Sequence, residues 1–67
     1  MMEIFLNGKA QSVENNLCIA PLIKKLNLEN KRLAVEVNND IVPRSQFENH
    51  VLSAGDKVEI VHAIGGG

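Results

Sequence analysis

Three consecutive glycines, Gly65-Gly66-Gly67, end the sequence and carry its clearest chemical signal. A glycine thread is narrow and can take backbone angles closed to other residues, so the active site of another protein could admit it. The group such a thread would present is the Gly67 carboxylate, a poor electrophile until it is activated as an acyl phosphate or an adenylate. From His62 to Gly67 an extended chain spans roughly 17 Å, enough to reach a recessed catalytic centre while a folded domain stays outside. Chain termini also fray by default, and glycine has the largest entropy cost on ordering, so simple fraying is the competing account. Against fraying alone stands the position of the glycines, close behind a segment with the pattern of a strand.

No other residues have the spacing of a catalytic or metal site. Enzymatic work needs a nucleophile, a base and oxyanion donors that converge, or several ligands on one metal. His50 and His62 stand apart from each other without metal-ligand spacing, and read as surface histidines. Cys18 precedes a helical pattern, at a place where Ser or Thr commonly caps. A thiol at a helix N-terminus can be reactive, but free cysteine is often buried and inert, and the structural reading is the better one. A single cysteine forms no internal disulfide, paired-thiol motif or iron-sulfur cluster.

The elements that would hold the tail follow from periodicity. Glu3 to Leu6 is a short apolar-rich strand, Asn7-Gly8 suits a two-residue hairpin turn, and Lys9 to Val13 is a polar returning strand. Ile19, Leu22, Ile23 and Leu26 fall at i, i+3, i+4 and i+7, one face of a helix that starts near Cys18 with Pro21 tolerated in its first turn. Leu33, Val35 and Val37 alternate with Ala34 and Glu36 as a strand should. Asn38-Asn39-Asp40 turns into a short strand, Ile41-Val42, which Pro43 closes. Arg44 to Glu48 reads as a turn or single helical turn, and Ala54-Gly55-Asp56 introduces a last strand, Lys57 to Val61.

The expected fold is α+β: a ubiquitin-like β-grasp, ββαββ, with a mixed four-stranded sheet covered by one helix. Residues 1–62 would form this domain and residues 63–67 a flexible C-terminal tail. Ile4, Leu6, Leu33, Val35, Val37, Val58 and Ile60 would face the helix, and strand alternation sends Phe5 and Val61 to the uncovered face. An exposed aromatic beside an aliphatic residue there would suit a partner enzyme, with Ile64 continuing the contact toward the tail.

Composition excludes other classes. Seven basic residues against eight acidic ones give a formal charge of -1, with no basic stripe to follow phosphates. Trp and Tyr are absent, so a base-stacking platform is missing too, and neither nucleic acid nor membrane is an expected partner. No apolar run nears the roughly 20 residues of a membrane span, and a cytoplasmic protein is expected. Hydrophobic residues at 45% argue for a folded domain, small enough to bury only about 60% of its unfolded surface.

Over nearly its whole length the chain resembles the thiamine-biosynthesis sulfur carrier family. The resemblance lies in Met2 to Val13, in Leu22-Ile23-Lys24-Lys25-Leu26, in the block Ala34 to Arg44 with its Asn-x-x-Ile-Val-Pro-Arg, followed by Phe47, and in the ending Gly66-Gly67. The middle block is the most specific, since Gly-Gly alone marks ubiquitin-like carriers in general. Cys18, in place of the usual Ser or Thr, and Gly65 depart from the family pattern without removing a reacting group. The resemblance implies a carrier rather than an enzyme. An E1-like adenylyltransferase would adenylate the Gly67 carboxylate with ATP, a sulfur donor such as a cysteine desulfurase would convert it to a thiocarboxylate, and thiazole synthase would take the sulfur. ATP would bind the partner, and this chain would hold no cofactor; Gly65 and Gly66 would thread the tail. A carrier for molybdenum cofactor or tRNA thiolation, a ubiquitin-like protein modifier and a plain β-grasp binding module are the alternatives.

Overall fold

The computed structural model describes residues 1–62. Strand β1, Met2–Leu6, returns as β2, Lys9–Val13, in antiparallel register with Leu6 opposite Lys9. Asn7 and Gly8 make the turn with φ of 49° and 87°, the doubly positive geometry for which an Asn-Gly dipeptide is suited.

Helix α1, Ile19–Lys25, begins where expected, with Cys18 as its N-cap. The thiol makes no capping bond. Instead, the N–H of Ile19 donates to the His50 carbonyl (3.2 Å), that of Ala20 donates to the Phe47 carbonyl (2.8 Å), and Pro21 has no N–H to satisfy. The helix stops at Asn27, whose φ of 60° reverses the chain. The Asn27 N–H then bonds the Lys24 carbonyl and the Leu28 N–H the Ile23 carbonyl, the paired bonds of a Schellman ending.

Strand β3, Leu33–Val37, turns at Asn38-Asn39 into β4, Asp40–Val42, and a 3₁₀ turn follows over Arg44–Gln46. Strand β5, Lys57–His62, completes the sheet in the order β2-β1-β5-β3-β4. β5 therefore lies in the middle, parallel to β1 and antiparallel to β3.

The sheet has five strands, not four. Asn38 and Asn39 both take positive φ (52° and 74°), which folds the short segment back on β3 with Val42 opposite Val35. Pro43 follows it at the sheet edge, where a missing N–H costs no ladder bond. The architecture is otherwise the expected one, a mixed sheet with its inner face on one helix.

Ile4, Ile19, Leu22, Val35 and Val58 are at most 2% exposed and form the centre of the core. Leu6, Leu26 and Leu33 pack against the core but stay half-buried, because each stands at the end of its element. Their places inside are taken by Val13, Leu17, Val42, Phe47 and Leu52. No polar or charged residue is buried among the described residues. No helix among them is long and apolar enough to cross a membrane.

Candidate functional site

Strand β5 leads directly into residues 63–67, so its anchoring decides where that segment begins. Val58 and Ile60 bury their side chains against the core. Two asparagines, both in positive-φ turns, hold the backbone of β5, one at its first residue and the other at its fourth. Asn38 Oδ1 accepts from the Lys57 N–H (3.0 Å), and Asn38 Nδ2 donates to Asp56 Oδ1 (3.0 Å). Asn7 Oδ1 accepts from the Ile60 N–H (2.9 Å), and Asn7 Nδ2 donates to the Ile60 carbonyl (3.3 Å). Sequence reasoning saw Asn7 as a turn former and Asn38 as a turn former within the family block. Their position beside a Gly or a second Asn carries the turn signal, but nothing in the pattern shows which strand the amide reaches.

Gly65, Gly66, Gly67 and Ile64 lie outside the described residues. Phe5 and Val61 do lie on the sheet face opposite the helix, 38% and 66% exposed. They are not neighbours, which corrects the expectation of an aromatic directly beside an aliphatic. The parallel register sets Phe5 opposite Lys57, and Val61 is four residues further along β5, roughly 13 Å away. Phe5 instead borders a shallow cavity of about 230 Å³ with Gly8, Lys57 and Glu59. Val61 faces Ala34 across the β3 ladder, and Glu59 faces Glu36. Exposed Ile41 extends the same face at its β4 edge.

The remaining candidates are not brought together. Cys18 is half-buried, its backbone paired with Val51, and among the described residues no three His, Cys, Asp or Glu side chains form a group suited to a metal. A second cavity, about 320 Å³, lies between α1 and the 3₁₀ turn. Beside it Arg44 Nη2 donates to the Lys31 carbonyl (3.1 Å), and the guanidinium lies 5.8 Å from the centre of the Phe47 ring. Of the motif residues, Phe47 is buried in the core, while Asn38 and Arg44 link their turns to segments distant in sequence.

Comparison with known proteins gives a consistent family. The model of the ThiS family matches residues 4–67, a stretch that includes the glycine ending. The sulfur carrier protein ThiS of Bacillus subtilis is 36% identical over 63 residues, covering 92% of this chain and 96% of that protein. A thiazole synthase of Paramagnetospirillum magneticum is 35% identical over 66 residues, which are 98% of this chain but 20% of the synthase, so the chain spans about a fifth of that relative's length. Among solved structures, the crystal structure of the thiamine biosynthesis protein ThiS from Geobacter metallireducens superposes with a TM-score of 0.83 at 29% identity, covering 98% of this chain and 100% of that one. With a β-grasp sheet and helix in place and a family match that runs through to Gly67, this chain belongs to the ThiS family.

Proposed function

We propose that this chain is the sulfur carrier for thiazole formation in thiamine biosynthesis, with the Gly67 carboxylate as the atom carrier. In the first step a carboxylate oxygen of Gly67 attacks the α-phosphate of ATP in an E1-like partner, forming the acyl adenylate and releasing pyrophosphate. A persulfide formed by a donor such as a cysteine desulfurase then attacks the acyl carbon and displaces AMP. A thiol reductant cleaves the S–S bond of the resulting acyl disulfide, itself ending in a disulfide with the donor cysteine. The original carboxylate oxygen leaves with the AMP, and release of the sulfur as a thiocarboxylate leaves one sulfur where one oxygen stood. Thiazole synthase takes that sulfur, an oxygen from water or from the acceptor substrate replaces it on the acyl carbon, and the carrier returns as the carboxylate. The cytoplasm is the proposed site of these steps.

The observation that carries this reading is the family match extending through Gly65-Gly66-Gly67. The choice of thiazole synthase as acceptor is supported by the synthase relatives that contain a stretch similar to nearly this whole chain. Phe5 and Val61 on the uncovered sheet face, with Ile64 beyond them, are the proposed contacts for the partner enzymes. Gly65 and Gly66 are the thread that passes into the partner.

Intact mass of the protein purified from its host without reductant tests the proposal. A species with one oxygen replaced by sulfur, localised to the C-terminal peptide, is the expected result. Conjugates of high mass joined through Gly67 would instead make the chain a protein modifier. Reconstitution with the E1-like enzyme and thiazole synthase, followed to the thiazole product, separates this pathway from molybdenum cofactor and tRNA thiolation.

A further inference from the structure

Strand β5 is supported unequally on its two sides. β3 accompanies it to its last residue, with Leu33 opposite His62. β1 stops pairing at Leu6 opposite Val58, because the chain turns away at Asn7-Gly8. The Asn7 N–H still reaches the Val58 carbonyl (2.8 Å). Beyond that point the Asn7 side chain continues the ladder, since its amide both accepts from and donates to Ile60 as a backbone unit of a neighbouring strand would. These bonds are partly buried, which limits competition from water.

We infer that Asn7 is a positioning residue for the C-terminal segment, holding β5 from the β1 side at Ile60, two residues before the strand ends, so that the point from which the tail departs is fixed. The inference rests on the reading of Gly67 as the group adenylated by a partner. The domain docks through its folded surface while the reacting carboxylate lies seven residues beyond Ile60, so the reach of the thread is measured from where β5 ends. A strand held by one ladder can rotate about it. A second contact at Ile60 confines that freedom to the last two residues of the strand.

Asn38 provides an internal control. It too occupies a positive-φ turn (52°) and clamps β5 through its amide, but at Lys57, where the strand enters the sheet rather than where it leaves. Glycine at either position keeps the turn unstrained and removes only the amide. Asn7→Gly and Asn38→Gly should therefore be compared with the parent in ATP–pyrophosphate exchange by the E1-like partner, at a temperature where circular dichroism shows all three folded. Hydrogen exchange of the Ile60 amide in the isolated protein is measured alongside.

Asn7→Gly is expected to leave KM for the carrier within about twofold while kcat falls by about tenfold to a hundredfold, the size of effect that a small misplacement of a reacting group produces. Its Ile60 amide should exchange faster than in the parent. Asn38→Gly should retain the parent's kcat and Ile60 protection. Parent-like kcat in Asn7→Gly, unchanged Ile60 exchange in that variant, or an equal loss of kcat in Asn38→Gly would each overturn the inference. If the parent itself supports no exchange, the carrier reading fails first and the positioning role fails with it.

Discussion

Cys18 illustrates how far a single residue can be read from its place in the sequence. It is the N-cap of α1, as the helical pattern implied, yet it does no capping through its side chain. The structure supplies the reason. A capping side chain accepts from the N–H of the second or third helical residue; here the first of these, Ala20, already bonds the Phe47 carbonyl, and the other is Pro21. Cys18→Ser should accordingly change unfolding free energy by less than about 0.5 kcal/mol, against the gain of about 1 kcal/mol that a working cap gives. A stabilisation near the larger figure in chemical denaturation would mean that the Ala20 bond to Phe47 gives way to the new hydroxyl. Leu22 is the opposite case, because a position on the apolar helical face is informative by itself. It is 2% exposed, and Leu22→Ala should cost about 2 to 5 kcal/mol by the same measurement, whereas a loss below about 0.5 kcal/mol would place it outside the core.

At the scale of elements, the strands, the helix and their order were legible, because alternation and helical spacing are local properties of the chain. Pairing was less so. That β5 inserts between β1 and β3 depends on contacts between residues far apart in sequence, and β4, read as the short strand Ile41-Val42, is too short for its pattern to show that it joins the sheet. Leu17 and Leu52 escaped notice for a related reason: they lie outside the named strands and helix, in segments linked by the bond from the Leu52 N–H to the Leu17 carbonyl. Asn38, Arg44 and Phe47 were seen as parts of a family block, but the bonds that explain them join distant segments. The turns were the most transparent connections, since positive φ selects Asn and Gly directly. At Gly8 a Cβ would meet nothing within 4 Å, so Gly8→Ala meets an objection only from its φ of +87°. It should destabilise the domain by about 1 to 2 kcal/mol, while Gly8→Asn should recover much of that because Asn tolerates the left-handed region better. Equal stabilities for the Ala and Asn variants would show that the β1-β2 turn can relax to another geometry.

For the molecule as a whole, the proposed division of labour is between a core that among the described residues runs no later than Ile60 and a terminal segment that would contribute the chemistry. Much of the core was predictable from pattern, whereas the proposed reactive end rests on residue type and on a family match rather than on any arrangement of side chains. That separation lets the two contributions of the tail be tested without disturbing the fold. Deleting Gly67 keeps a terminal carboxylate but withdraws it by about 3.5 Å, well beyond the tolerance of an in-line attack on a nucleotide phosphate. Gly66→Val leaves the carboxylate at its original distance along the chain but widens the thread and closes the positive-φ region to it. Both variants should unfold at the parent's temperature, because a glycine carries no side chain that a hydrophobic core could bury. Both should fail in ATP–pyrophosphate exchange with the E1-like partner, the deletion through lost reach and the valine through lost entry. Parent-like exchange by the deletion would show that the partner does not measure the length of the thread, and parent-like exchange by Gly66→Val would show that slenderness is not what the glycines supply. Either result would remove the threaded-tail account of Gly65-Gly66-Gly67 while leaving the fold and its family assignment intact.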